Sequence, residues 1–260
     1  MAPEVIVLGG SGTYPVPGSA CSSFLLRSEG SVVWIDAGPG SFANLQRHVH
    51  FQAVSALVIS HLHLDHILDV YPFYYALRWS RESRGPAGLE VYAPAGAEAY
   101  LSQLTSPSGD GDFGGYFAFR TISDGDEHVI DSLHFRFARS VHPVETMAMR
   151  ARVGERVLAY TSDTGLRGAS DPDGRARLVA LASDADLLIA EATMQEPVPE
   201  LEEVHMTARE AGELAAEAGA ARLMLTHLWP GLDPSVSVAA ARQSFGGEVI
   251  TATDNLRLEI

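Results

Sequence analysis

Four residues able to bind a metal fall within six positions, His61, His63, Asp65 and His66, in the stretch Ser60-His61-Leu62-His63-Leu64-Asp65-His66. Imidazole nitrogen and carboxylate oxygen together suit zinc, and also manganese or iron. The stretch follows the apolar run Ala56–Ser60, which reads as a buried strand. A tight loop leaving a strand aims successive side chains at one point, whereas a regular helix scatters them. Three more residues of ligand type stand just past their own apolar strands: His142 after Val141, Asp163 between Ser162 and Thr164, and His227 after Thr226. All of them therefore belong on one rim of a β structure. The chemistry open to such a rim is activation of water, because a bound divalent cation lowers the pKa of water toward roughly 7.

The elements that must position this rim are legible as alternating apolar runs and punctuation. Strands are predicted at Val5–Leu8, Ser22–Arg27 and Val32–Ile35, the last two joined at Glu29-Gly30. Asp36-Ala37-Gly38-Pro39-Gly40 breaks the pattern, and Ser41 is placed to cap a helix near Phe42–Val49. A helix is predicted from His66 to Trp79, a strand at Leu89–Ala93, a helix at Pro94–Leu104 and a loop, a candidate lid, at Thr105–Tyr116. Further strands are predicted at Phe117–Ile122, His134–Ser140, Thr146–Val153, Arg156–Tyr160, Asp186–Ala190, Arg222–Thr226, Gly247–Ala252 and Arg257–Ile260. Helices are predicted at Arg175–Ser183, from a capping box at Thr207-Ala208-Arg209-Glu210 to Gly219, and from Asp233-Pro234 onward. Two packed sheets with helices outside is the layered solution for such a pattern.

A length of 260 residues, 46% of them hydrophobic, is enough for one large α/β core, and residues 1–260 are read as a single domain. The net charge of −15 disfavours binding along a nucleic-acid backbone. One cysteine, Cys21, rules out an internal disulfide or a cysteine-rich zinc site, and nothing basic beside it activates the thiol. Neither a secretory signal nor a membrane-spanning apolar run is apparent, so the expected location is cytoplasmic.

Nearly the whole chain, from Leu8-Gly9-Gly10-Ser11-Gly12 through Asp36-Ala37-Gly38 and His61-x-His63-x-Asp65-His66 to Thr226-His227, resembles the metallo-β-lactamase superfamily. The resemblance implies an αββα sandwich of two mixed β-sheets with two divalent metal ions between them, zinc or else manganese or iron. It implies that His61, His63 and His142 bind the first metal, that Asp65, His66 and His227 bind the second, and that Asp163 bridges both. It makes Asp36 a brace for the histidine loop, and Asp65 and Asp163 the residues that orient an attacking hydroxide held between the metals.

Two further residues narrow the reaction. Glu191 ends the strand Asp186–Ala190, and His205 precedes the capped helix. This pairing resembles the ribonuclease Z-like branch of the superfamily, and implies that His205 protonates a leaving oxygen while Glu191 fixes its tautomer. The gaps between His142, Asp163 and Glu191 are too short for a long tRNA-gripping arm. The expected function is therefore phosphodiester hydrolysis on a small molecule, as in the compact actinobacterial-type cyclic-AMP phosphodiesterases, with Asp65, His205 and Glu191 as catalytic residues. The phosphonate-pathway relatives carry an extra cysteine-rich zinc site that one cysteine cannot build. A tRNA 3′-processing endoribonuclease, an ester, lactone or thioester hydrolase, and a metal-bearing binding module are the competing readings. The resemblance also implies a homodimer. Trp229 is a candidate stacking surface for a base or sugar, Phe113 and Tyr116 are candidate substrate contacts, and Ser162 and Thr164 are candidate phosphate donors, although hydroxyls at strand ends commonly bond their own backbone.

Overall fold

Most central strands of this chain are apolar at nearly every position rather than at alternate ones, because both faces are covered. In the computed structural model, which describes residues 2–82, 88–103, 113–166 and 171–260, fourteen strands form two seven-stranded sheets. The first sheet takes β1 (Glu4–Gly9), β2 (Ser23–Ser28), β3 (Ser31–Ile35), β4 (Ala56–Val58), β5 (Leu89–Ala93), β6 (Phe117–Thr121) and, from the other end of the chain, β14 (Arg257–Glu259). The second takes β7 (Glu127–Ile130), β8 (Leu133–Arg139), β9 (Met147–Val153), β10 (Arg156–Tyr160), β11 (Leu187–Glu191), β12 (Arg222–Thr226) and β13 (Glu248–Thr251). Their orders are β14-β1-β2-β3-β4-β5-β6 and β13-β12-β11-β10-β9-β8-β7.

Alternation along each strand divides the apolar residues between three layers. Val5 and Val7 of β1 face the second sheet, joining Phe24, Leu26, Phe135, Met149, Leu158 and Ile189, while Ile6 and Leu8 face outward. The outer face of the first sheet is covered by α1 (Ser41–Leu45), α2 (Leu64–Ile67), α3 (Val70–Trp79), α4 (Ala97–Ser102) and α5 (Phe113–Tyr116), with Trp34, Phe42 and Phe73 in contact as aromatic neighbours. The outer face of the second carries α6 (Gly174–Leu181), α7 (Ala208–Ala218) and α8 (Pro234–Ala241) over an alanine-rich layer. This is the αββα sandwich expected.

Several local readings need correction. Ser41 is the first helical residue and not the cap. Gly40 at φ 92 takes the N-cap position, and the helix stops at Leu45. The helix read as starting at His66 begins at Leu64 and breaks into α2 and α3. Strand β7 lacks a strand signature in the sequence because only Ile130 of its residues is buried, as befits an edge. Of the Thr105–Tyr116 loop, residues 105–112 lie outside the described residues. Phe113 and Tyr116 begin and end a helical turn and are buried against Tyr74, so packing occupies both rings. The capping box at Thr207 and Glu210 forms as read, and so does the Asp233-Pro234 start of α8.

Strand direction sets the site. β1 and β3 run with β4 in the first sheet, and β8 runs with β10, β11 and β12 in the second. The loops at the carboxyl ends of these strands therefore share one rim.

Two stability predictions follow from the packing. Leu158→Ala, between the sheets, should lower unfolding free energy by about 2–5 kcal/mol, while Val129→Ala on the exposed edge should stay within about 0.5 kcal/mol, both read by urea denaturation. A helix-interior glycine normally gains about 1 kcal/mol on change to alanine. Gly212→Ala should instead lower Tm, because its Cβ would run into the Ala241 carbonyl where α7 meets α8.

Candidate metal centre

The rim gathers all seven residues of ligand type. His61 follows β4 after Ile59 and a bend at Ser60, and His63 is the extended N-cap residue of α2. Asp65 and His66 sit in α2, so a loop and one helical turn share the work that the sequence assigned to a loop alone. His142 follows β8, Asp163 follows β10 and His227 follows β12. One ligand atom each from His61, His63, His142 and Asp163 lies within 4.8 Å of the others, and the same holds for Asp65, His66 and His227.

The geometry within this cluster fits a divalent cation. His61 Nε2 is 3.1 Å from His63 Nδ1, which is 3.2 Å from His142 Nε2. Burial pushes the His61 imidazole well below its ordinary pKa and also lowers His63 and His142, so all three are neutral, the form that ligates. The outward nitrogens of His142 and His61 are engaged elsewhere. His142 Nδ1 donates to the Val204 carbonyl at 3.0 Å. Ser60 Oγ donates to Asp36 at 2.8 Å, leaving its lone pairs to accept from His61 Nδ1 at 3.1 Å. Lone pairs therefore converge on a common point. His66 Nε2 and Asp163 Oδ1 are buried without a hydrogen-bond partner, 3.4 Å apart. A cation would satisfy both atoms once the proton has left the His66 ring.

Charge reinforces the fit. Burial opposes ionisation of Asp163, but His227 and His66 outweigh it and hold the carboxyl well below its usual range. Burial opposes ionisation of Asp65 too, yet the His227 hydrogen bond and His66 bring it down to about 2. Burial lowers His66, while Asp163 and Asp36 outweigh it and raise it well above the ordinary value. A cation taking His66 Nε2 must displace that proton, which makes binding pH-dependent.

Asp36 braces the loop as expected and also turns the chain, with φ 53. It is fully buried and accepts from Ser60 N at 2.7 Å, Ser60 Oγ at 2.8 Å, His66 Nδ1 at 2.9 Å and Tyr160 Oη at 3.1 Å. The Tyr160 bond crosses from one sheet to the other. Ser162 and His227 are left-handed as well, at φ 53 and 55. Non-glycine residues in this region carry a steric cost, and its recurrence at one rim marks a site held in place by its surroundings.

Beside the cluster, His205 Nδ1 lies 2.8 Å from Glu191 Oε1. Glu191 is fully buried and also accepts from Thr164 N at 2.7 Å and Thr193 Oγ at 2.6 Å. Burial would lower the His205 pKa, but Glu191 raises it to about 9, so the ring carries its proton at neutral pH. His205 also forms a ligand-type group with Asp163 and His227, placing its ring at the edge of the cluster.

Other candidates fall elsewhere. Thr164 Oγ donates to the Gly165 carbonyl at 2.8 Å and accepts from Val141 N, so local backbone occupies it, and Ser162 Oγ faces the His61 ring at 3.5 Å. Both are fully buried and are not presented to a ligand. Trp229 is 39% exposed and lines a cleft with Val16, Leu232 and Asp254. Cys21 is buried beneath Gly38, and burial together with Asp65 pushes its thiol up to about 12, which makes it inert. The sequence reading missed Thr13, whose backbone N–H reaches Asp65 Oδ2 at 2.9 Å, and also Ser60, Tyr160 and Thr193. Nothing in composition distinguishes these from ordinary strand-end residues, although each is within two residues of a singled-out position or an end of its strand.

Comparison with known proteins agrees with this arrangement. The model of the beta-lactamase superfamily domain matches residues 32–228. The probable metallo-hydrolase YhfI of Bacillus subtilis is 29% identical over 86% of this chain and 86% of its own. Its crystal structure, titled a metallo-beta-lactamase fold protein, superposes with a TM-score of 0.85 at 25% identity, covering all of both chains. An uncharacterised protein of Mycobacterium tuberculosis is 31% identical over 95% of this chain and 88% of its own. The ribonuclease Z of Haloferax volcanii is 28% identical over 100% of this chain and 96% of its own. With its two packed sheets and a His/Asp cluster suited to metal on their shared rim, the chain belongs to the beta-lactamase superfamily and has the metallo-β-lactamase fold.

Proposed function

We propose that the protein is a metal-dependent phosphodiesterase acting on a small phosphodiester, most specifically a cyclic nucleotide such as cyclic AMP. His61, His63 and His142 would hold one divalent cation, Asp65, His66 and His227 would hold a second, and Asp163 stands where it could serve both. When bound, two such cations supply a nucleophile from water at neutral pH and neutralise charge gathering on the phosphoryl group. The chain's own groups do the rest. Asp65 and Asp163 orient the attacking water. His205, held by Glu191, gives a proton from Nε2 to the departing oxygen.

The observation that carries this reading is the His205–Glu191 contact of 2.8 Å at the edge of the cluster. An alkoxide leaving group needs a proton, whereas a thiolate departs without one. A protonated imidazole beside the centre therefore favours phosphodiesters over thioesters, and the full-length likeness to a protein named ribonuclease Z favours phosphodiesters over carboxylic esters and lactones. Small size follows from two features. The interval between His142 and Asp163 is taken up by β9 and β10, and between Asp163 and Glu191 the described residues form α6 and β11, with no projecting arm. The net charge of −15 opposes a polyanion. The second reading is a tRNA 3′-processing endoribonuclease, favoured by the full-length likeness to a protein named ribonuclease Z.

Turnover by the metal-loaded protein separates the two. Cyclic AMP, cyclic GMP, a chromogenic phosphodiester and a precursor tRNA are offered beside an Asp65→Ala/His66→Ala control. Cyclic-nucleotide cleavage that exceeds tRNA cleavage and vanishes in the control is expected. A clean cut at the tRNA 3′ end, without cyclic-nucleotide turnover, would overturn the substrate assignment. A second prediction concerns the acid. His205→Ala should lower kcat for an alkyl phosphodiester by about 10²–10⁴-fold and for a nitrophenyl ester far less. Equal losses on both substrates would remove His205 from the proton-transfer role.

A further inference from the structure

Thr193 takes no part in the reading above, yet it stands between the acid pair and the metal cluster. It is 1% exposed. Its Oγ lies 2.6 Å from Glu191 Oε2 and 2.8 Å from His227 Nδ1. A hydroxyl has one proton, and a carboxylate offers only acceptors. The Thr193 proton therefore goes to Glu191, and the oxygen must accept from His227. That fixes a proton on His227 Nδ1, so Nε2, which lies 3.2 Å from Asp65 Oδ2 and 3.4 Å from Asp163 Oδ2, is the nitrogen left for a metal to take. The other oxygen of Glu191 fixes His205 by the same logic, since Nδ1–H donates to Oε1 and Nε2 is left to face the site.

The backbone holds this hydroxyl still. Ala192 N bonds the Thr226 carbonyl at 2.9 Å, next to His227. Met194 bridges to Thr207, just beyond His205, with Ala208 N on the Met194 carbonyl at 3.0 Å. Thr193 N itself donates to Glu191 Oε2 at 3.2 Å. The residue is thus pinned on one side to the strand that delivers His227 and on the other to the turn that delivers His205.

We infer that Thr193 is a positioning residue through which one carboxylate, Glu191, sets the tautomers of both the acid His205 and the metal-facing His227. The arm toward His205 rests on the phosphodiesterase reading. The arm toward His227 rests only on that residue holding a metal. Groups that orient a ligating imidazole typically contribute 10–100-fold to metal affinity. Loss of the hydroxyl should therefore weaken metal binding and disturb proton delivery in one step.

The test compares Thr193→Val, which keeps the shape and removes the hydroxyl, with Thr193→Ser, which keeps the hydroxyl and removes the methyl. Zn²⁺ affinities of the metal-free proteins are measured by competition with a chromogenic chelator, without any substrate. Thr193→Val should lose about 10–100-fold in the weaker of its zinc affinities, and Thr193→Ser should recover most of it. Unchanged zinc affinity in Thr193→Val overturns the inference. So does equal damage in both variants, which would show that the methyl group and its packing are what count. Where phosphodiester turnover is measurable, Thr193→Val should also lose more on an alkyl ester than on a nitrophenyl ester. Zinc loss with leaving-group dependence unchanged would sever the arm to His205. Because the zinc measurement uses no substrate, it judges Thr193 separately from the phosphodiesterase reading.

Discussion

Asp163 is a buried carboxylate whose Oδ1 has only the His66 ring, 3.4 Å away, beside it, and the rim is organised around it. A charge in that position is costly unless something of opposite sign compensates it. His66 and His227 stand within 3.4 Å of it and His61 within 3.7 Å. Without a metal, His66 balances it only by being a buried charge itself, and at His61 burial drives the proton off. A divalent cation resolves the conflict more completely, satisfying the orphaned oxygen, the orphaned His66 nitrogen and the converging lone pairs together. The cluster is in this sense a cation site first, and its use in hydrolysis follows from that.

The sandwich exists to hold these groups at fixed separations. Each ligand-type side chain leaves a strand, or the loop and turn just after one, so its position inherits the rigidity of a sheet covered on both faces. Asp36 and Tyr160 tie the two sheets together at the rim through a bond of 3.1 Å. Left-handed residues Asp36, Ser162 and His227 show that the chain accepts local steric cost there, and the surrounding hydrogen bonds keep it from relaxing. Outside this first ring, Ser60, Val204 and Thr193 each occupy the outward nitrogen of a histidine, so the inward nitrogen is the one left with a lone pair.

Much of this was legible in the sequence because metal ligands are chemically distinctive and their strands are long apolar runs. The seven ligand-type residues and the layering of two sheets under helices could be named from residue type and place, and Asp36 and the His205–Glu191 pair from the resemblance to a known family. Other features have no such signature. Ser41 looks like a cap, but Gly40 supplies the left-handed turn and takes that position. The edge strand β7 buries too little to show periodicity. Ser162 and Thr164 look available beside Asp163, yet the ring of His61 and the backbone of Gly165 occupy them. Thr193 and Tyr160 matter through contacts between segments distant in sequence, and such contacts leave no local pattern.

The measurement that bears most directly on this account is the metal content of the protein after saturation with zinc and removal of loosely held ions, beside an Asp163→Ala variant. Two zinc ions per chain in the parent, with at least one lost in the variant, is the result the account predicts. A parent that retains no zinc, or a variant that keeps the parental content, would contradict it, because the buried carboxylate would then be balanced by something other than bound cations.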